Sequence, residues 1–344
     1  MQTINKKDNV SLLASFGINT PNISLDDTST ISSLEVVRFV PKRRCVCKAL
    51  WQGEAVYAKL FFGDKAAQYA LRDMRGVESL QKAKILTPKI LKQSNLPQVK
   101  AYVVIFEGIT PSDSAEDVWE SANEFVRVEL AHQLIKVVAH HHEARLLQTD
   151  MYLKNFLIQY DAIYTIDGDG VRSVDKLSIK KAQANLCQLL SKLDVLTIDS
   201  QLPSLLETYA NARPWQPALD IDAVKKRIEA ARQKATSAYA DKKVFRQCTD
   251  VDVVETKKVF VAMSARDAMI DFPQTAAALD AYLNDASLIK NGNTCTVFTA
   301  KIGALDAVIK RYNIKGFWHG FGRAFRRTRA SISWANAHRL QLLG

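Results

Sequence analysis

The sequence predicts an α+β chain in which a strand-rich segment is followed by a helical one, and then by a second, smaller α+β unit. Three observations predict it. Glu54-Ala-Val-Tyr-Ala-Lys59-Leu-Phe-Phe62 and Ala101-Tyr-Val-Val-Ile-Phe-Glu107 are β-branched and aromatic, as buried strands are. Residues 175–239 place apolar positions at helical spacing. Residues 288–343 then repeat a strand, strand and helix order. At 344 residues and 47% hydrophobic content, the chain can bury two cores at about 150 residues per domain.

In chain order, residues 1–34 read as an N-terminal extension. Cys45 and Cys47 share one strand face and read as small buried hydrophobes rather than redox partners. The strand over 54–62 carries Lys59 near its end, where an ammonium can reach phosphates. A helix is expected over 70–83, with Arg72-Asp73-Met-Arg-Gly76 at its opening and Thr87-Pro88 at its close. The strand over 101–107 leads through Glu107 into the polar stretch Gly108–Glu116, the expected hinge for an adenine. Phe156–Ile158 and Ile163–Ile166 read as a hairpin turning at Tyr160-Asp161-Ala162. Helices follow over 175–193, over 203–212 with Pro203 in the first turn, and over 221–239. The first domain thus runs 35–245, with strands over about 35–107 and helices over about 117–245. Residues 246–344 form the second unit.

The stretch Gln148-Thr-Asp150-Met-Tyr-Leu-Lys-Asn155-Phe-Leu-Ile158, followed by Tyr164-Thr-Ile-Asp167-Gly-Asp169, carries the chemistry. An Asp, an Asn five positions on and a second Asp after a short apolar strand is the spacing with which protein-kinase-like enzymes hold a hydroxyl acceptor and Mg-ATP. Phosphoryl transfer needs a carboxylate beside the attacking hydroxyl and hard oxygen ligands for Mg2+. Asp150 is placed as the base, and Asn155 with Asp167 as the metal ligands. The hairpin between them brings Asn155 and Asp167 back together. His140-His141-His142 is not a metal site, because consecutive helical residues point about 100° apart. No Cys or His spacing suggests zinc.

Residues 35 to 240 resemble the lipopolysaccharide core kinases, the Kdo and heptose kinase family of Gram-negative bacteria. The residues that carry the resemblance are Arg43-Arg44, Ala58-Lys59-Leu-Phe61, Arg72-Asp73-Met-Arg-Gly76, Thr87-Pro88, Thr149-Asp150 to Asn155-Phe-Leu157, and Ile166-Asp167-Gly-Asp169. The resemblance implies a protein-kinase-like two-lobed fold, an antiparallel-sheet small lobe beside a helical large lobe, using ATP and Mg2+ to phosphorylate an inner-core sugar. It implies Lys59 on phosphates, Asp150 as base, and Asn155 and Asp167 on magnesium. The family's helix glutamate falls on Asp73, with Glu78 further along the same helix as the other partner for Lys59. The chain departs from the kinase pattern twice more. The loop Pro41-Lys-Arg-Arg44 contains no glycine where a phosphate lid is expected, so basic side chains replace backbone amides there. Gln148 stands where kinases carry a histidine.

Net charge is uneven. Residues 301–344 hold nine Lys or Arg against one acid, Asp306, and supply +8 of the chain's +11. Interleaved with Phe317, Trp318, Phe321 and Phe325, they fit an anionic membrane face better than nucleic acid. Asp306-Ala-Val-Ile-Lys310-Arg-Tyr312 repeats the pattern of 54–60, and a helix is expected over 331–343. Such an order is the small lobe of a second kinase-like domain that stops before its large lobe, as in a truncated tandem member. With no apolar run of about 18 residues, no signal core and five cysteines without a CxxC pair, the chain is expected in the cytoplasm, peripheral to the inner membrane. Two readings result: a sugar kinase acting on a glycan or glycolipid, and a catalytically weak kinase-like module that docks on a membrane or partner.

Overall fold

The computed structural model describes residues 6–25, 29–40, 42–213, 220–248, 250–255, 260–264, 286–302, 305–313 and 327–343. The chain is α+β, with antiparallel sheets and several helices, and divides into two compact units, Met1–Glu229 and Ala230–Gly344. The division falls inside a helix rather than at residue 245, where the sequence suggested it.

The first unit begins with α1 (Lys6–Ser15), β1 (Ile23–Ser24), β2 (Thr30–Val40), β3 (Arg44–Trp51), β4 (Glu54–Phe62), α2 (Ala66–Lys82), β5 (Ile90–Leu96) and β6 (Ala101–Glu107). The strands form one antiparallel sheet in the order β1-β2-β3-β4-β6-β5. Alternation along β3 and β4 sends Cys45, Cys47, Ala58 and Leu60 to one face, where they pack with Leu13, Phe16, Ile18, Ile23 and Leu34. Leu13, Phe16, Ile18, Ile23, Leu25 and Leu34 are therefore part of the sheet's own core rather than of an extension, with Phe16 stacked on Phe62 at 4.6 Å. Cys45 and Cys47 are buried thiols with sulfurs 3.6 Å apart, as their apolar surroundings require. The opposite face carries Phe61, Val104 and Phe106 and is covered by Ala66, Ala70, Met74 and Val77 of α2. That apolar stripe starts α2 four residues before the expected position, so Arg72–Gly76 lies mid-helix.

The helical part comprises β7 (Asp113–Ser114), α3 (Ala115–Ser121), α4 (Glu124–Glu143), β8 (Leu146–Gln148), β9 (Phe156–Gln159), β10 (Ala162–Thr165), β11 (Val171–Ser173), α5 (Ile179–Leu190), α6 (Val195–Ala212) and α7 (Ile221–Lys242). Side-chain caps start several of these helices. Asn123 accepts from Val126 N–H at 3.0 Å for α4, and Asp194 accepts from Thr197 N–H at 2.8 Å for α6. The cap at Asp194 places Pro203 inside α6, not in its first turn. A mid-helix proline costs about 3 kcal/mol, but Ile198, Leu202, Leu205, Leu206 and Tyr209 form one buried stripe across it, at about 1.5–3 kcal/mol each. They pack with Leu130, Leu134 and Val138 of α4 and with Val224 and Ile228 of α7. The β9–β10 hairpin forms as expected, with Ala162 already in the strand opposite Gln159 and only Tyr160-Asp161 turning.

The second unit contains β12 (Val251–Glu255) paired with β13 (Phe260–Ser264), the three-stranded sheet β14 (Ser287–Asn291), β15 (Cys295–Ile302) and β16 (Leu305–Tyr312), and α8 (Arg329–Leu343). The internal repeat extends to register: Val46 faces Lys59 across β3–β4, and Val297 faces Lys310 across β15–β16. Of the basic tail, Arg327 and Arg339 are held by Asp241 at 2.8 and 2.5 Å. Lys315, Arg323, Arg326 and the four aromatic residues over 317–325 lie outside the described residues. Among the described residues no helix is long and apolar enough to cross a membrane.

Candidate functional site

Lys59 sits on the α2-facing side of β4, because alternation sets it with Tyr57 and Phe61 and away from Ala58 and Leu60. Its ammonium lies 2.9 and 3.1 Å from the two carboxylate oxygens of Asp73 and 5.1 Å from the Phe106 ring centroid. Asp73 is fully buried on α2. Glu78, five residues on, is rotated by about 140° on the helix and exposed, so Asp73 is the partner that the sequence left open. Burial works against the Lys59 charge, yet Asp73 and Asp167 more than offset it and raise its pKa.

Asp167 follows β10 in the left-handed backbone region, at φ 69° and ψ 69°, a conformation that Asp tolerates better than most residues. Its carboxylate lies 3.5 Å from Lys59, 3.5 Å from Arg44 and 3.9 Å from Arg38. Burial would push this carboxyl up, but the three cations together hold it below the usual range. Its buried Oδ1 accepts no hydrogen bond among the described residues. The next residues lock the loop to α2. Gly168 packs against Gly76, the Asp169 N–H donates to Asp73 Oδ1 at 2.9 Å, and Asp169 pairs with Arg72. Asp73 thus orders both Lys59 and the Asp167 loop.

Asn155 is buried, and its Nδ2 donates to the Asp150 carbonyl at 2.8 Å while its own carbonyl accepts from Ile166 N–H at 2.8 Å. The amide oxygen of Asn155 is thereby left as its acceptor group. Thr149 donates through both N–H and Oγ1 to the Gly170 carbonyl, each at 2.9 Å. These bonds bring the Asp150 segment and the Asp167 segment together and leave the Asp150 side chain exposed. Glu107, expected to contact the cofactor at the strand end before the hinge, donates its N–H to the Lys89 carbonyl at 2.9 Å, and its carboxylate accepts from Lys89 N–H at 3.2 Å. The Glu107 N–H is thereby engaged within the sheet, and one carboxylate oxygen is held by the Lys89 backbone.

The base of the Asp150 segment is held by a directed hydrogen-bond chain. Arg213 donates to Tyr209 Oη at 2.8 Å, Tyr209 donates to His142 Nδ1 at 2.7 Å, and His142 Nε2–H donates to Asn185 Oδ1 at 3.1 Å. Asn185 Nδ2 then donates to the Gln148 carbonyl at 2.8 Å. The donor order assigns His142 the neutral Nε2–H tautomer. Burial, with Arg213 nearby, pulls its pKa down to about 4 despite the Asn185 bond. His141 bonds Thr165 Oγ1 at 3.0 Å and is pulled down by burial to about 3. His142 is therefore a satisfied interior histidine, whereas His141 is bonded through Nε2 alone and its buried Nδ1 has no hydrogen-bond partner among the described residues.

Sequence reasoning missed Arg38 and the Gly76–Gly168 contact. An isolated glycine within a helical pattern signals such a close approach. Arg38 carries no local signal, since only the β2–β3 pairing sets it opposite Val46 and next to Lys59.

No protein-family model matches this chain, and no curated protein does.

Proposed function

We propose that the first unit is an ATP-dependent phosphotransferase of protein-kinase-like fold whose acceptor is a sugar hydroxyl, as in the lipopolysaccharide core kinases that the sequence resembles. The observation that carries this reading is the convergence of Lys59, Arg44 and Arg38 on Asp167, with Asp73 behind them. Three cations against two carboxylates leave the cleft with an excess positive charge, which suits a polyphosphate. Arg38 and Arg44 do the work of the missing glycine lid by presenting guanidinium donors to phosphate oxygens.

The residues also fit Mg2+. Asp167 offers Oδ1, which is 3.5 Å from Lys59 and Arg44 and has no hydrogen-bond partner among the described residues, and Asn155 an amide oxygen, a hard ligand pair of the kind that magnesium accepts alongside phosphate oxygens. Asp167 and Asn155 would hold the ion, and its charge would offset that of the phosphates. Asp150, exposed on a loop fixed by Thr149 and Asn155, accepts the proton of the attacking hydroxyl. Residues 174–178 alone connect β11 to α5, so among the described residues this connection is too short to seat an extended polypeptide acceptor. That favours a glycan or glycolipid.

The second unit serves as a binding module under this reading. Lys310 repeats Lys59 in register, but α8 contains neither Asp nor Glu to pair with it. Its basic residues direct it to an anionic membrane surface.

The test is phosphate transfer from labelled ATP to purified rough lipopolysaccharide, beside calorimetric binding of ADP–Mg2+. Asp150→Ala should abolish transfer and keep ADP affinity within about twofold, whereas Asp167→Asn should lose the magnesium-dependent part of that affinity. Full transfer by Asp150→Ala, or absence of ADP binding to the parent, sinks the proposal.

A further inference from the structure

Outside the Lys59 cleft the first unit carries a second concentration of positive charge. Arg72, Arg75, Ser79 and Lys82 recur at helical spacing on the face of α2 turned away from the sheet. Together with Arg172 and Ser173 of β11 they line an open cleft of about 560 Å³, at whose floor lies Gly76. Four cations thus face one concavity from two elements. Glu78 is the acid that lines it, and Asp169 is engaged by Arg72 beside it. Neither Arg75 nor Lys82 has an acidic partner among the described residues, and both side chains are exposed. Arg172 is oriented by donating to the carbonyls of Asp169 and Val171 at 2.7 and 2.8 Å. Like charges converging on a cavity favour an anion there, and arginines present planar donor pairs that match phosphate and carboxylate oxygens.

We propose that this cleft is an oxyanion-binding site that takes a phosphate or carboxylate group carried by the sugar acceptor. The assignment of the anion to the acceptor rests on the phosphotransferase reading above; the site itself does not. The cleft adjoins the chemistry, because Arg72 pairs with Asp169, whose N–H donates to the same Asp73 that holds Lys59. An acceptor bearing a negative group could be anchored here while its neutral hydroxyl reaches Asp150. Such an anchor would select charged sugars over neutral ones.

The test uses the full chain and three probes followed by calorimetry or phosphorus NMR: glucose 1-phosphate, inorganic phosphate and neutral glucose. The parent should bind glucose 1-phosphate saturably at about 1 mM or tighter, weaken as salt rises, and leave glucose unbound. Tighter binding of the sugar phosphate than of inorganic phosphate supports an acceptor-borne anion, whereas equal binding of the two overturns that assignment and leaves a free phosphate as the ligand. Arg75→Glu/Lys82→Glu should lose about tenfold or more in affinity for either anion, with ADP–Mg2+ affinity changed less than about twofold. The milder Arg75→Gln/Lys82→Gln should fall between, guarding against an unfolded double reversal. No saturable binding by the parent, or undiminished binding by both variants, overturns the site. Anion binding that vanishes in the variants while the parent binds no ADP would uphold the site and remove only the phosphotransferase reading.

Discussion

Gly76 and Gly168 touch so closely that a methyl group on Gly76 would stand 1.9 Å from the Gly168 carbonyl oxygen. In the other direction, a methyl group on Gly168 would stand 2.1 Å from the Asp73 carbonyl oxygen. The α2 backbone and the Asp167 loop are in contact without side chains between them, and it is this contact that lets Asp73 reach the Asp169 amide.

Gly76→Ala should therefore push the loop off the helix. Backbone atoms cannot yield as a flexible side chain can, so the cost should be at least about 2 kcal/mol of stability, with loss of ADP–Mg2+ binding. Urea denaturation and calorimetry check both. A variant with parental stability and affinity would mean that the loop position does not depend on this contact.

Asp73→Asn should leave the buried Lys59 ammonium without its nearest carboxylate, which costs about 3–5 kcal/mol for a broken interior ion pair. Lys59→Met/Asp73→Leu removes both charges and should recover most of that stability while binding no nucleotide. If the double variant is as unstable as Asp73→Asn, the penalty lies in packing or in the lost acceptor for the Asp169 N–H rather than in an unpaired charge.

Arg38→Gln and Arg44→Gln should change two affinities in opposite directions. Each should weaken ADP binding by about tenfold through loss of a charged hydrogen bond. Each should also tighten Mg2+ binding measured without nucleotide, because a cation near the Asp167 carboxylate is gone. Parallel weakening of both would indicate general disruption of the cleft.

Acid should destabilise the first unit in a definite window. His141 and His142 titrate at about 3 and 4 when folded against 6.5 ordinarily, so the unfolded chain binds their protons first as pH falls. Their neutral forms contribute fully above pH 6.5. Stability should then drop by about 1.4 kcal/mol per pH unit per histidine between pH 6.5 and about 4. Urea midpoints at pH 7 and pH 5 measure the slope, and His142→Gln should halve it. An unchanged slope would remove His142 from the account.

Several features were legible before any coordinates. Alternation alone places Lys59 on the opposite face from Ala58 and Leu60, and β4 and β6 run over the expected residues. The Asp150, Asn155 and Asp167 spacing already implies a loop followed by a hairpin, since the short apolar runs 156–158 and 163–166 can pair only with each other locally. The repeat of the 54–60 strand pattern around Lys310 was visible for the same reason, and the strands pair in the same register.

What the sequence by itself determined, then, was the face and the spacing of each chemical group within its own element. Only the tertiary structure decided which faces meet. Asp73 pairs with Lys59 across 14 residues and with the Asp169 amide across 96, and no periodicity reports contacts between separate elements. The choice of Asp73 over Glu78 follows from how α2 rolls on the sheet, which is set by Ala66, Ala70, Met74 and Val77 packing against Phe61 and Phe106. Arg38 joins the site only because β2 pairs with β3, and Leu13, Phe16 and Ile18 join the core only because the sheet offers them its second face. Burial of these apolar faces, worth a kcal/mol or more for each side chain by the usual area scaling, is far stronger than the local preferences that sequence patterns record, and it fixed the geometry of the charges.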